Sequence, residues 1–171
     1  MSAPALFATV IASPVGALTL VAGAAGLRAV LWENDAPARV RLGARIAAPD
    51  HPILCQAGRE LAAYFAGTRH GFDVPLDVVG TNFQQSVWAA LRTIPYGETR
   101  RYADLARAIG RPAAARAVGA ANGRNPLSIV IPCHRLIGAN GALTGFAGGL
   151  AAKRFLLMLE AGMGACRSRA S

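Results

Sequence analysis

The spacing of apolar residues changes near residue 80, and this change divides the chain into two segments of different architecture. Residues 1–80 contain short apolar runs separated by Pro and Gly turns, a pattern typical of strands. The predicted strands are Leu6 to Ala12, Leu18 to Ala22 and Leu27 to Trp32. A helix is predicted from about Pro52 to Ala66, and an edge strand from Phe72 to Val78. We therefore expect residues 1–80 to form a small α/β domain, an antiparallel sheet with one helix.

Residues 81–171 show helical spacing instead. The predicted helices run from the capping box Thr81 to Gln84 up to Pro95, from Tyr102 to Ile109, from Pro112 to Ala121, and from Leu150 to Ala161. The apolar side of the last helix is expected to consist of Phe155, Leu156, Met158 and Leu159. The tight Gly110-Arg111-Pro112 turn between two short helices predicts a helix-turn-helix. The second segment is thus a mostly helical domain, and the whole chain belongs to the α+β (mixed α/β) class.

The positive charge is confined to the second segment. The net charge is +9, yet residues 1–80 hold six Arg against six Asp or Glu. Residues 81–171 hold eleven Arg and one Lys against Glu98, Asp104 and Glu160. A basic surface of this kind predicts a polyanionic partner, nucleic acid above all. The alternative is a solvated basic surface in an Arg-rich proteome, but coding bias explains Arg over Lys and not the scarcity of acids.

Composition also argues against several classes of protein. No apolar run reaches the roughly 20 residues of a membrane helix, and the N-terminus has no basic leader, so we expect neither a membrane span nor a signal peptide. Three cysteines are an odd count, which argues against a disulfide framework and favours a reducing cytoplasm. His51 and Cys55 lie one helical turn apart, but without a further ligand we favour packing over metal binding.

Ile131-Pro132-Cys133-His134-Arg135 is the strongest candidate for a reactive centre. It follows the apolar run Leu127 to Val130, which predicts a buried strand that Pro132 ends. A neighbouring His and Arg would favour the thiolate of Cys133 over the thiol, as nucleophilic chemistry requires. The alternative is a buried, inert cysteine at the end of a strand.

Three further features have two interpretations each. The second helix of the helix-turn-helix carries tiny side chains around Arg116, which suits either close approach to a DNA groove or tight packing inside the domain. The glycine-rich loop Thr144 to Gly149 is either a linker or a loop whose backbone approaches a flat ligand. Glu160 lies at a helix C-terminus, where the dipole disfavours an anion, so it either pairs with His134 or is solvated at a frayed end.

Several blocks of the second segment, in this order along the chain, resemble a known family. They are Phe83-Gln84-Gln85, Ile94 to Thr99, Ala114 to Gly119, Asn122 to Pro126, Ile131 to Arg135 and Leu143 to Phe146. The family is that of the O6-alkylguanine-DNA alkyltransferases, in the stand-alone bacterial form. The first segment resembles it more weakly, through Ser13-Pro14-Val15-Gly16 and Tyr64-Phe65-Ala66-Gly67.

The resemblance implies an activity and a set of catalytic roles. An alkyl group would pass irreversibly from O6-methylguanine, and from O4-methylthymine, to Cys133, once per molecule and without cofactor or metal. His134 would take the thiol proton through a water, and Glu160 would orient His134. Asn125 would brace the turn that carries the cysteine, and Tyr102 would donate to the guanine ring.

The resemblance also implies how double-stranded DNA would be held. The helix-turn-helix would enter the minor groove, and Arg116 would fill the gap left by the flipped nucleotide. The implied DNA contacts are Arg116, Arg101, Ala115, Gly119, Asn122 and Arg135, and the implied pocket residues are Leu136, Phe146, Ala147 and Gly148. We expect a monomer in solution, while cooperative binding along DNA is left open.

Three residues depart from the family pattern. Arg101 stands where many relatives have a Ser that caps the helix, so Thr99 or Asp104 is expected to compensate. Phe146 lacks a hydroxyl that some relatives carry, and Ala147 replaces a common Ser, so contact with guanine O6 would rest on backbone N–H groups. These changes would alter substrate range without abolishing transfer.

Two other functions use the same residues differently. A cysteine hydrolase would need an oxyanion hole and would turn over. A DNA-binding regulator or lesion sensor would use the helix-turn-helix and leave the thiol idle.

Overall fold

The computed structural model describes residues 3–162, which form an N-terminal sheet domain and a helical C-terminal domain. The strands are β1 (Leu6–Ile11), β2 (Leu18–Ala22), β3 (Leu27–Trp32), β4 (Arg45–Ala47), β5 (Arg100–Arg101) and β6 (Leu136–Ile137). The helices are α1 (Pro52–Phe65), α2 (Asn82–Leu91), α3 (Tyr102–Ala108), α4 (Ala115–Gly123) and α5 (Leu150–Glu160). The predicted fold class is confirmed.

The N-terminal sheet has the strand order β3-β2-β1-β4. β1 pairs antiparallel with β2, and β2 pairs antiparallel with β3, as expected from the turns between them. β4 adds to the free edge of β1 in parallel. β4 was not predicted, because its three residues are all exposed and show no alternation of apolar and polar side chains.

The predicted edge strand from Phe72 to Val78 is wrong. Leu76 makes only an isolated bridge to Leu27. The N–H groups of Asp73 and Val74 donate hydrogen bonds to Oε2 of the buried Glu60 carboxylate, each at 3.1 Å. A side chain on α1 thus takes the donors that a neighbouring strand would have bound, and the segment lies across the helix as an irregular loop.

The helix-turn-helix is present, with one boundary corrected. The capping box holds, since Thr81 Oγ1 accepts from Gln84 N and Gln84 Oε1 accepts from Thr81 N. Helix α4 begins at Ala115 rather than Pro112, because the chain first makes a turn in which Ala114 N donates to Arg111 O at 2.9 Å. The indole N–H of Trp88 on α2 donates to Ala121 O at 2.8 Å and ties α2 to α4.

Helix α5 turns a different side inward from the one expected. Its buried residues are Ala152, Lys153, Leu156 and Glu160. Phe155 and Met158 are each 37% exposed. Of the predicted apolar side only Leu156 is fully buried, because the lysine and the glutamate have polar partners inside the protein.

One hydrophobic core joins the two segments. Leu18 and Leu27 of the sheet belong to the same cluster of buried side chains as Leu91 and Leu136 of the helical segment. No helix within residues 3–162 combines the length and apolar character needed to cross a membrane. His51 and Cys55 have partners of their own, since the His51 ring caps α1 by accepting from Ile53 N and the Cys55 thiol donates to Pro49 O.

Replacement of Glu60 by Ala is expected to destabilise the fold. It would leave the N–H groups of Asp73 and Val74 without their acceptor, at a cost of about 2–4 kcal/mol. Urea denaturation measures the loss, with Arg59→Ala, an exposed neighbour on the same helix, as the control. Equal losses in the two variants would contradict this account of the loop.

Candidate active site

Cys133 lies on a tight buried turn, not at the end of a strand. Residues 127–131 fold back on themselves, with Ile129 at a φ of 73°, a strained left-handed conformation for a β-branched residue. Asn125 supports this turn from inside: its Nδ2 donates to Ile131 O at 2.9 Å and its Oδ1 accepts from Leu127 N at 3.0 Å. Two side-chain bonds thus fix the backbone that leads into the short 3₁₀ helix Cys133–Arg135.

The Cys133 thiol is buried, and its surroundings do not favour a preformed thiolate. Only 4% of the residue is exposed, and burial raises the pKa of the thiol against the opposing effect of Asn125. The prediction that His134 and Arg135 would supply positive surroundings is wrong in this respect, because both side chains are committed to Glu160. At neutral pH the cysteine therefore rests as the thiol.

His134 and Glu160 form a buried hydrogen-bonded pair, with His134 Nε2 and Glu160 Oε1 2.7 Å apart. Burial by itself would raise the pKa of the carboxyl, but hydrogen bonds from His134 and Arg135 outweigh it and lower the pKa to about 2. Burial lowers the pKa of His134, so the imidazole is neutral at pH 7. Because an ionised carboxylate can only accept a hydrogen bond, the proton of the neutral imidazole lies on Nε2. The Nδ1 atom is buried, has no hydrogen-bond partner within residues 3–162, and is free to accept a proton.

Arg135 is part of this buried network and not of a DNA-binding surface. Its Nε donates to Glu160 Oε2 and its Nη2 to Glu160 Oε1, both at 2.9 Å, while Nη1 donates to Ile94 O at 2.6 Å. Asn122 is likewise turned inward, since its Nδ2 donates to Cys133 O at 3.4 Å and the residue is 5% exposed. The expectation that these two side chains contact DNA is therefore wrong.

Three residues at this site were missed in the sequence. Tyr64 of α1 is fully buried, and its hydroxyl donates to Glu160 Oε1 at 2.8 Å. Arg39, paired with Asp35, donates from Nη1 to Asn125 O at 2.7 Å. Arg39 lies in an irregular stretch and carries no sequence signal for this role. Tyr64 belongs to a block that resembles the family, but its spacing is that of an ordinary core residue and does not indicate a bond to Glu160.

Lys153 is the third missed residue, and here a signal existed. It is the one lysine in a chain that otherwise uses arginine. Its Nζ donates to Leu136 O at 2.6 Å and to Thr144 O at 3.2 Å, and burial lowers its pKa. A compact ammonium with three donors fits two carbonyl oxygens in a buried space better than a planar guanidinium does.

The exposed face of the helix-turn-helix carries several of the predicted DNA-contact residues. Arg116 and Arg101 are exposed, and Ala115 and Gly119 are half-buried. The Arg101 N–H at the start of α3 donates to Asp104 Oδ2 at 3.2 Å, but the Arg101 side chain accepts no bond from the first turn, so the cap that a Ser would provide is replaced only in part. A Cβ at Gly119 would lie 3.7 Å from the Tyr102 ring, so α4 passes close to that tyrosine.

The glycine-rich loop is held from both sides. At Thr144, the side-chain hydroxyl lies 2.9 Å from the Tyr102 hydroxyl, and the carbonyl accepts from Lys153. Phe146, Ala147 and Gly148 are half-buried, whereas the Leu136 side chain is fully enclosed in the core and does not line an accessible wall. The backbone of Gly148 lies against the indole of Trp32, which a Cβ at Gly148 would meet at 2.6 Å.

Known proteins match both domains. The model for the 6-O-methylguanine DNA methyltransferase DNA binding domain matches residues 82–162, and that for the ribonuclease-like domain matches residues 6–78. The methylated-DNA–protein-cysteine methyltransferase of Methanosarcina acetivorans is 47% identical over 160 residues, which cover 91% of this chain and 98% of that protein. The Mycobacterium tuberculosis H37Rv protein of the same name is 51% identical over 150 residues, covering 86% and 88%.

A solved structure extends the comparison to the fold. The crystal structure of Mycobacterium tuberculosis OGT in complex with DNA matches with a TM-score of 0.83 and 49% identity, over 90% of this chain and 92% of that one. A buried cysteine beside a histidine–glutamate pair, next to a helix-turn-helix, defines a class of cysteine-dependent transferases built on this two-domain fold. The chain belongs to the methylated-DNA–protein-cysteine methyltransferase family.

The Glu160 network predicts a pH-dependent stability. Since the pKa of the carboxyl falls from 4.5 to about 2 on folding, its contribution, on the order of 3 kcal/mol, is complete above pH 4.5 and is lost as the pH falls towards 2. Glu160→Gln should therefore lower the free energy of unfolding at pH 7 by at least this amount, and the deficit should shrink on acidification.

Urea denaturation at pH 7, 5 and 3 measures that deficit. Glu98→Gln is the matched control, because Glu98 is an exposed carboxylate 3.4 Å from Arg100. A deficit for Glu160→Gln that stays constant from pH 7 to pH 3 would refute the assignment of a buried, ionised carboxylate.

Proposed function

We propose that this protein binds double-stranded DNA, extrudes an O6-alkylated guanine and moves the alkyl group onto the Sγ atom of Cys133, once per molecule. One observation carries the proposal. Cys133 is buried next to His134, whose imidazole is bonded to the buried Glu160, and all three lie in the domain that contains the helix-turn-helix. Family membership supports the same activity over the alternatives of a hydrolase or a non-reacting lesion sensor.

The neutral His134 is the base of the reaction. Its unpartnered Nδ1 takes the thiol proton through a water, while Nε2 stays bonded to Glu160, which stabilises the imidazolium. The thiolate then attacks the alkyl carbon, so an S–C bond forms as the C–O6 bond breaks. The electron pair of that bond stays with guanine, and Tyr102 donates a proton to the ring once its hydroxyl has left Thr144.

The helix-turn-helix presents the lesion to the thiol. Extruding a base from the stack costs a few kcal/mol, which minor-groove contacts and an inserted side chain offset. The exposed Arg116 is the inserted side chain, and Ala115 and Gly119 are small enough to let α4 approach the DNA closely. Arg101, also exposed, adds a phosphate contact.

Alkyl transfer inactivates the protein irreversibly. The product is a thioether, whose sulfur is a poor leaving group, so the alkyl group stays on Cys133 and one protein repairs one lesion. We extend the proposal to O4-methylthymine, to a monomer in solution and to a cytoplasmic location. Neither a soluble methyl donor nor a metal takes part in it.

Mass spectrometry tests the transfer directly. After incubation with a duplex oligonucleotide that contains O6-methylguanine, the Cys133 peptide should carry one added methyl group and the DNA should contain restored guanine. Cys133→Ser should bind the same DNA and remain unmodified. Methyl on Cys55, or on Cys166 outside the described residues, would contradict the proposal, as would binding without transfer.

A second measurement tests base extrusion by Arg116. Arg116→Ala should slow repair of duplex DNA by about tenfold or more while its reaction with the free base O6-benzylguanine stays near the wild-type rate, because only the duplex needs the base to leave the stack. Arg154→Ala, which removes an equal charge from the exposed side of α5, is the control. Equal losses on both substrates would show that Arg116 does not assist extrusion.

A further inference from the structure

We infer that Trp32, a residue of the N-terminal domain, determines how large an alkyl group the pocket accepts. The inference rests on the proposed function, because it concerns the specificity of that same transfer. Trp32 ends strand β3 and is 6% exposed. It contacts both the turn that leads to Cys133 and the glycine-rich loop, Thr144 to Gly149, which the proposed function places at the wall of the alkyl pocket.

The first contact fixes the indole relative to the reactive turn. Trp32 Nε1 donates to the Ser128 hydroxyl at 3.0 Å in a fully buried hydrogen bond. Ser128 belongs to the turn that Asn125 braces and that leads to Cys133. Because the bonds of Asn125 fix this turn, even with Ile129 in a strained conformation, Trp32 Nε1 is bonded to a rigid part of the backbone that leads to Cys133.

The second contact places the loop against the indole. The Phe146 ring packs edge-on to Trp32, with centroids 5.3 Å apart and an interplanar angle of 69°. The backbone of Gly148 lies on the face of the same indole, so closely that a Cβ there would be 2.6–2.7 Å from three ring atoms. Trp32 therefore blocks movement of this part of the loop towards the indole.

The other end of the loop has an independent anchor. Thr144 is held by Tyr102 and Lys153, both of the C-terminal domain. Between the two anchors only Gly145 intervenes. In the proposed function, the contact of the loop with Trp32 therefore determines the width of the alkyl pocket at Phe146 and Ala147. An alkyl group larger than methyl would have to push the loop against the indole.

Selectivity between two lesions tests this directly, because the same bonds form and break whichever alkyl group is transferred. Trp32→Phe loses the bond to Ser128 and part of the ring, which frees the loop. We expect the ratio of the second-order rate constants for O6-benzylguanine and O6-methylguanine, both in the same duplex, to rise by about fivefold or more.

Trp88→Phe is the matched control. It removes the other tryptophan, whose buried N–H bonds Ala121 O on α4, and it should leave the ratio at its wild-type value. If Trp32 serves stability alone, Trp32→Phe will change both rate constants by the same factor, and an unchanged ratio overturns the inference. Failure of the wild type to transfer methyl would instead refute the proposed function.

Gly148→Ala keeps the test decisive if Trp32→Phe does not fold. It retains Trp32 and the bond to Ser128, but the added Cβ forces the loop off the indole. The benzyl-to-methyl ratio should then change by at least about threefold. A ratio equal to that of the wild type would again overturn the inference.

Discussion

The carboxylate of Glu160 is the interaction on which the two domains and the reactive turn jointly depend. Its Oε1 atom accepts from Tyr64, His134 and Arg135, and its Oε2 atom accepts from Arg135 again. A charge this deeply buried is tolerated only when donors surround it, because each lost partner leaves a desolvated anion. Those donors come from α1 and from the 3₁₀ helix of the cysteine. The same ion therefore connects the two domains and orients the imidazole of His134.

This arrangement gives the N-terminal domain direct contact with the chemistry. Tyr64 reaches Glu160, Arg39 reaches the carbonyl of Asn125, and Trp32 reaches Ser128. All three bonds connect residues before position 80 to the network around Cys133. Burial and the neighbouring carboxylate raise the pKa of Tyr64, so its hydroxyl remains a donor at any physiological pH. The first domain thus acts as part of the frame of the active site and not only as a support for the fold.

The sequence predicted what depends on local pattern and missed what depends on buried partners. The first three strands, the capping box at Thr81 and the two short helices were confirmed because alternation, caps and Gly-Pro turns are local signals. The predicted strand from Phe72 to Val78 does not form because Glu60, twelve residues upstream of Phe72, accepts hydrogen bonds from the N–H groups of Asp73 and Val74. Propensity cannot detect such a competitor, since it acts across the fold.

The predictions for the active site likewise succeeded where a local pattern indicated the residue and failed where a buried partner decided its role. Cys133 and His134 were identified from their motif, Glu160 from its place at a helix C-terminus, and Asn125 from the family resemblance. The structure pairs His134 with Glu160 and bonds Asn125 to the turn before Cys133. Arg135 was misassigned because a charged side chain beside a reactive cysteine has two uses, contact with a polyanion or neutralisation of a buried carboxylate. Sequence alone does not distinguish them, whereas the burial of Glu160 at the end of α5 does.

His134 and Cys133 are both neutral at rest, which explains how Cys133 can be inert until a lesion is bound and reactive afterwards. Burial lowers the pKa of His134 most, and the charge of Arg135, which already balances Glu160, lowers it further, so His134 stays neutral. Burial in turn keeps Cys133 as the thiol, which protects it from oxidation and from stray electrophiles. In the proposed function, reactivity then comes from placing the alkyl carbon in line with the sulfur while the unpartnered Nδ1 of His134 accepts the proton. Since the thiol is spent after one transfer, a cysteine that reacts only when a lesion is held against it avoids losing the protein to other alkylating agents.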